Sequence, residues 1–419
     1  EAIKMVAQVG LAIDGKIANF SEFDRKNYFY PDIPKGYQIS QFKYPIVSGG
    51  TLAGVDITRI HLEEDTGTSK HDGSRSLIDF NRAGVPLMEL VTEPVIHSAE
   101  EAMAFAKELQ LLLRFLGVSH ANMERGEMRV EANISISPDK EKFGTKVEVK
   151  NLNSFSVVGK AIEYELNRMR DLYEAGREDE IVQETRGWDD GRGVTFSQRK
   201  KETSDDYRYF PEPDIPKFYL HDLLNLDDLK AELPELPWER RKRYEDGFGI
   251  KAEDIEVYIQ DRELGVLFEN IVTLLQGDQK LIKLASNYLT SDLVGYMKNE
   301  PEGRGLLDGM DADDVAQLIR MVDAGDVNSR GAKDILLILA KEGGDPAVIA
   351  EEKGLIQQND TEALKQVAQK IIDENPDAVA DFNAGKETSI KFLIGQGMKA
   401  TKGSANPKVL EDVFKELLS

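Results

Sequence analysis

The stretch SLIDFNRAGVPLMELVTEP, from Ser76 to Pro94, sets Asp79, Asn81, Arg82, Glu89 and Glu93 among residues that otherwise read as buried core. From Leu87 the run alternates, with Leu87, Glu89, Val91 and Glu93 on one face of an extended segment and Met88, Leu90 and Thr92 on the other. Two acids therefore share one face of a strand. Upstream, the β-like run Ile57 to Asp65 (ITRIHLEED) ends in three consecutive acids, and its carboxylates meet the first set if the two strands pair. Such clusters make hard-cation sites, because Mg²⁺ takes oxygens from one or two carboxylates and keeps room for water and substrate phosphates. The plain alternative is an exposed strand carrying solubilising acids. The turn Arg82-Ala83-Gly84-Val85-Pro86, which fixes the backbone just before Glu89, and the flanking apolar residues favour the site.

Composition bounds what surrounds that strand. A chain of 419 residues has room for about three domains, and 41% hydrophobic content supports real cores. Cysteine is absent, which excludes disulfides and cysteine-ligated zinc within the chain. No apolar run reaches the length of a membrane span, and the opening EAIKMVAQVGLAIDGKIA lacks the basic region and cleavage site of a signal peptide. The expectation is a cytoplasmic protein with no membrane partner. A net charge of −23 argues against broad nucleic-acid binding, so any such contact must be local. Of the five histidines only His61 neighbours an acid cluster, and neither a Walker-type phosphate loop nor GxGxxG occurs.

The patterning is mixed first and helical afterwards. Ile3, Val6, Ala7, Val9 and Gly10 have near-helical spacing, so the chain opens on a helix already under way. A helix is predicted from Ser98 to Leu116, with Ser98 and Glu101 as a capping box, Phe105, Leu109, Leu112 and Leu116 as its stripe and Gly117 just beyond its end. Strands are predicted over Met128 to Ile136 and Lys146 to Lys150, each alternating apolar residues with charges such as Glu131, Glu148 and Lys150. After about residue 230 the pattern is helical: Ile255 to Leu274, Lys280 to Met297 and Met310 to Leu339 read as amphipathic runs, with a break at Gly343-Gly344-Asp345-Pro346. The fold class expected is α+β, an antiparallel-sheet cradle over 1–230, an all-helical domain over 231–345 and a small helical tail over 346–419.

Two further segments carry chemistry. Phe23 to Gln41 interleaves Arg25, Lys26 and Lys35 with Tyr28, Phe29, Tyr30 and Tyr37, a mixture that suits a nucleotide or a single-stranded nucleic-acid end, or else an aromatic core loop. Between Lys386 and Lys408 five lysines face one acid, Glu387, a local +4 centred on a loop read over GQGMKATKGSANP. Ser204 to Pro216 (SDDYRYFPEPDIP) ends in prolines that prevent regular structure and reads as a rigid loop that closes the cradle, docks on a partner or takes part in catalysis; it is left outside the core site.

FDRKNYFYPDIPKGYQISQ (Phe23 to Gln41), HLEED (His61 to Asp65), DFNRAGVPLMEL (Asp79 to Leu90), EVKNLNSF (Glu148 to Phe155) and SDDYRYFPEPDIP together resemble the GatB family, the B subunits of glutamyl/aspartyl-tRNA amidotransferases, in order and over nearly the whole chain. The resemblance implies one member of a carbon–nitrogen ligase complex, which uses ATP and Mg²⁺ to activate the side-chain carboxylate of Glu or Asp mischarged on tRNA(Gln) or tRNA(Asn). Ammonia then comes from the amidase partner, the A subunit, with a small C subunit in the complex, and the absence of any Ser-Lys or Cys-His glutaminase arrangement in this chain agrees with that. It implies Glu64 and Glu89 as Mg²⁺ ligands, Lys26 on the ATP phosphates, and Glu131 and Glu148 lining the cavity. Arg82 and Lys150 are further candidates for the nucleotide. At Glu131 the family commonly has Asp. The tail, YqeY-like by the same resemblance, is assigned tRNA binding through Lys386, Lys391, Lys399 and Lys402. Family members also carry a segment before Glu1, with an acid and a histidine for the metal site. The competing readings are a free-standing ATP-dependent ligase on a small carboxylate and a non-catalytic tRNA-binding protein of the complex.

Overall fold

A computed structural model describes residues 1–200, 207–357, 361–383, 386, 388–401 and 405–418, in two compact units, Glu1–Pro237 and Trp238–Ser419. The α+β layout expected from the sequence holds, with the strands in the first unit and helices throughout the second.

Two sheets organise the first unit. In one, the long strand Val55–Glu64 pairs antiparallel with Pro86–Thr92 on one side and with Val47–Ser48 on the other. The opening helix Ala2–Ala12 packs on it through buried Val6, Val9 and Gly10. Gly10 is required there, because a Cβ would come within 2.5 Å of Val47. The other sheet runs Val130–Ile134, Val147–Leu152, Glu184–Asp189, Val194–Lys200. Its 147–152 and 184–189 strands are parallel, a pairing that needs a crossover, and the helix Phe155–Glu174 supplies it.

That helix and Ala99–Phe115 cover the apolar face, where Val147, Val149, Ile162 and Met169 are buried together. The expected cap is present, since the Ser98 hydroxyl accepts from the Glu101 amide at 3.1 Å, and Gly117 takes the left-handed conformation at φ 67°. Glu131, Glu148 and Lys150 lie on the opposite, charged face. A short three-stranded sheet completes the site's surroundings, with Asp24–Asn27 between Tyr37–Ser40 and Phe210–Pro211.

In the second unit the predicted long runs are broken. Asp261 ends one helix and caps the next by accepting from Leu264 N, so 255–274 becomes Ala252–Gln260 and Arg262–Leu274. Gly325, at φ 80°, separates Ala312–Ala324 from Ser329–Glu342. The stretch 280–297 stays helical but passes through a π-turn over Tyr288–Leu293. The helices Thr361–Glu374, Thr388–Ala400 and Pro407–Leu418 share their own core around Leu364, Leu393, Leu410 and Phe414. One expectation fails here: residues 395–400 are helical, not loop. Gly397 is small because Leu410 sits where its Cβ would be, so it serves helix packing.

Candidate active site

The pairing of 55–64 with 86–92 sets Glu89 opposite His61 and Leu87 opposite Glu63. Directly paired residues point to one face, as do residues two apart on a strand, so His61, Glu63 and Glu89 converge. His61 Nε2 lies 3.7 Å from a Glu63 oxygen and 3.9 Å from a Glu89 oxygen. One ligand atom from each of the three falls within 4.8 Å of the others. His61 and Glu63 are buried, whereas the Glu89 side chain is 44% exposed.

A cavity of about 270 Å³ opens over this cluster, walled by Lys26, Phe42, Arg59, Tyr207 and Tyr209. The Lys26 ammonium sits over the Tyr207 ring at 5.0 Å and the Tyr28 ring at 5.9 Å, while Phe42 and Tyr209 stack at 4.4 Å. Burial penalises the ionised form of Glu63. Its interaction with His61 and the charge of Lys26 outweigh that penalty and hold the carboxyl below its ordinary value. Glu89 moves the other way: burial, then the charge of Glu63, push it up despite His61 and Lys26. Two carboxyls side by side are thus driven apart, one held ionised and one retaining its proton longer.

Two carboxylates suit Mg²⁺, and the imidazole extends the donor set to Mn²⁺. The residues fit a divalent cation. His61 turns Nε2 to the two carboxylates, while its buried Nδ1 finds no hydrogen-bond partner among the described residues.

The structure departs from the expected pairing of Glu64 with Glu89. Neighbours on a strand face opposite ways, so Glu64 turns from the cluster to Lys35 and accepts from the Ile39 amide at 2.8 Å. Glu63 stands in its place. The signal was present in HLEED, where His61 and Glu63 have the two-residue spacing of a common face. Arg82 also lies outside the cavity walls, bonded to buried Asp65 at 2.8 Å and to the Gly126 carbonyl at 2.8 Å, and Asp65 takes Arg129 as well. Glu131 stays close enough that its charge raises Glu89, and it pairs with Lys150 at 2.9 Å. Glu148 accepts from the Thr185 hydroxyl at 2.8 Å. Tyr207 and Tyr209, left outside the core site on sequence grounds, line the cavity; Ser204, Asp205 and Asp206 of the same motif lie outside the described residues.

Residues 1–224 match the family described as the GatB/GatE catalytic domain, and residues 267–418 match the one described as the GatB domain. The chain belongs to the GatB family. The B subunit of the aspartyl/glutamyl-tRNA(Asn/Gln) amidotransferase of Crocosphaera subtropica is 42% identical over all of this chain and 88% of its own length. The protein of the same name from Halorhodospira halophila is also 42% identical, with the same coverage. The B subunit of the chloroplastic/mitochondrial glutamyl-tRNA(Gln) amidotransferase of Ricinus communis is 41% identical over the whole chain and 78% of its own length. In this GatB-family chain the cavity falls within the catalytic-domain match. The second match holds Lys386, which pairs with Asp381 at 2.8 Å, and exposed Lys391 and Lys399, whereas Lys402 lies outside the described residues. Among the described residues no helix is long and apolar enough to cross a membrane.

Proposed function

We propose that this chain carries out the ATP-dependent activation step of a tRNA amidotransferase, acting on the side-chain carboxylate of Glu or Asp mischarged on tRNA(Gln) or tRNA(Asn). The amide then forms with ammonia that the amidase partner, the A subunit, releases from glutamine, in a complex that includes a small C subunit. One observation carries the reading: His61, Glu63 and Glu89 converge beside the Lys26 ammonium in a single aromatic-walled cavity. The names of the relatives supply the substrate class.

Glu63, Glu89 and His61 hold a divalent cation, Mg²⁺ by the carboxylate chemistry, which when bound neutralises phosphate charge. Lys26 lays a second positive charge on the transferring phosphoryl group, where phosphoryl transfer depends on positioning and charge stabilisation. The Tyr207, Tyr209 and Phe42 rings exclude water from that side. Glu131, Lys150 and Glu148 form an alternating charged row that meets the acceptor end of the tRNA. Arg82 braces the turn before Glu89 from outside. Residues 346–419 act as the tRNA-body domain, with Lys391, Lys399 and Lys402 as its phosphate contacts and Lys386 held back by its pair with Asp381.

The test uses the assembled amidotransferase with mischarged tRNA, ATP and Mg²⁺. Lys26→Ala and Glu89→Gln should each lower ATP-dependent amide formation by roughly 100-fold or more while the partner's glutaminase activity persists. Normal turnover by Glu89→Gln at low Mg²⁺ would overturn the reading.

A further inference from the structure

Residues 207–214 lie along the outer edge of the Asp24–Asn27 strand, with Phe210 opposite Arg25 and Pro211 opposite Asp24. Two register pairs and one further backbone bond, from the Glu212 amide to the Phe23 carbonyl at 2.8 Å, are a short hold for a segment whose prolines remove donors. Side chains do the rest. Arg25 donates from Nε and Nη2 to the two carboxylate oxygens of Glu212, at 2.7 and 2.9 Å, and from Nη2 to Asp214 at 3.0 Å. Its guanidinium lies 4.2 Å from the centre of the Tyr37 ring, and the Glu212 side chain is only 2% exposed. A forked, stacked and desolvated pair of this kind is far more specific than a surface salt bridge. Asn27 donates to the carbonyls of Tyr207 at 3.3 Å and Arg208 at 2.8 Å. Between them Arg208 adopts φ 42°, a left-handed conformation that an arginine keeps only when its surroundings impose it. This turn brings the Tyr207 and Tyr209 rings to 6.2 Å from each other, both on the cavity wall.

We propose that Arg25 and Asn27 are positioning residues. Alternation puts them on the face of their strand opposite Lys26. From there they pin residues 207–214 so that Tyr207 and Tyr209 wall the cavity and the Tyr207 ring fixes the Lys26 ammonium. The grip touches none of the three cation ligands. Its role rests on the activation reading above, and it adds a requirement that reading does not contain: the strap must be fastened for the nucleotide side of the cavity to exist. The Arg25 guanidinium beside Glu212 holds that carboxyl below its ordinary value, which favours the ion pair.

The experiment compares Arg25→Ala, Glu212→Gln, the double variant, Arg25→Lys and Asn27→Ala in the assembled amidotransferase. Arg25→Ala should raise KM for ATP by roughly 10- to 100-fold, since small misplacements of binding groups have effects of that size. Mn²⁺ affinity, read by titration calorimetry without nucleotide, should stay within about twofold, because the change removes none of the ligands. The double variant should be no worse than Arg25→Ala, as expected when two groups act as one unit. Arg25→Lys should recover only part, since an ammonium cannot reproduce the fork. Asn27→Ala, which leaves the ion pair intact, should raise the same KM if Arg25→Ala does not fold. An unchanged KM for ATP in Arg25→Ala and Asn27→Ala, or additive effects of Arg25 and Glu212, would overturn the proposal. A wild-type complex without ATP-dependent amide formation would instead overturn the activation reading itself.

Discussion

Glu63 and Glu64 are adjacent in sequence and on opposite faces of a strand, and the candidate chemistry depends on which of them faces Glu89. Glu63 is buried beside His61 and accepts from the Ser40 hydroxyl at 3.0 Å, whereas Glu64 is engaged with Lys35 and the Ile39 amide. Cation binding should therefore separate them. Glu63→Gln is expected to weaken Mn²⁺ binding by roughly 10- to 100-fold, and Glu64→Gln by no more than about threefold. Equal losses in the two variants, measured by calorimetry, would return Glu64 to the ligand set. Proton competition gives the same experiment a pH axis. Glu89 keeps its proton to a higher pH than an ordinary carboxyl, so cation affinity should begin to fall on acidification above the usual carboxylate range. Glu63 is shifted the other way and stays ionised through that first decline. In Glu89→Gln the early step should vanish. The sequence carried the residue types and the strand alternation, but it placed Glu64 where the pairing register places Glu63. Register is a tertiary property, and a shift of one residue exchanges faces.

At the scale of elements, what was legible followed from periodicity and capping. The helix Ala99–Phe115 and the two charged-face strands came from local patterns that tertiary packing had no reason to override, whereas the pairing of 55–64 with 86–92 stood in the sequence only as a condition. The parallel pairing of 147–152 with 184–189 was not legible, because no local signal marks the partner of a strand so far along the chain. The helical runs were read too long for a different reason: an amphipathic stripe continues across Asp261 and Gly325, although each ends a helix by its own backbone chemistry. Glycines misled in the tail. Gly397 reads as loop chemistry but faces Leu410 across two packed helices, with no space for a side chain. Gly397→Val should therefore destabilise the tail core by about 1–3 kcal/mol, the usual cost of overpacking. Chemical denaturation followed by helical circular dichroism reads the effect. A change below about 0.5 kcal/mol would mean that Leu410 moves aside freely.

For the molecule as a whole, net charge and local charge make opposite demands. A chain at −23 repels nucleic acid on average, so a tRNA partner has to be met by surfaces where cations stand unopposed. The tail offers them unevenly. Lys386 is already committed to Asp381, while Lys391 and Lys399 are exposed on the helix Thr388–Ala400, and Lys391 acts on Glu411 only through its charge. On composition alone these lysines carry equal weight, since the ion pair with Asp381 is a contact that composition does not reveal. If the tail holds the tRNA body, replacing Lys391 and Lys399 together by Ala should weaken tRNA binding most at low salt. The slope of log affinity against log salt should become shallower by ~0.7–0.9 for each phosphate no longer neutralised. Lys386→Ala alone should change the slope little, because a lysine already paired with Asp381 neutralises no phosphate. ATP-dependent activation at saturating tRNA should be untouched, as phosphate contacts position a nucleic acid without taking part in the reaction. The deciding comparison is tRNA affinity across a salt series for the wild-type, single and double variants in the assembled complex. Superimposable slopes would leave these lysines as solvated surface and move the tRNA contact to another part of the protein.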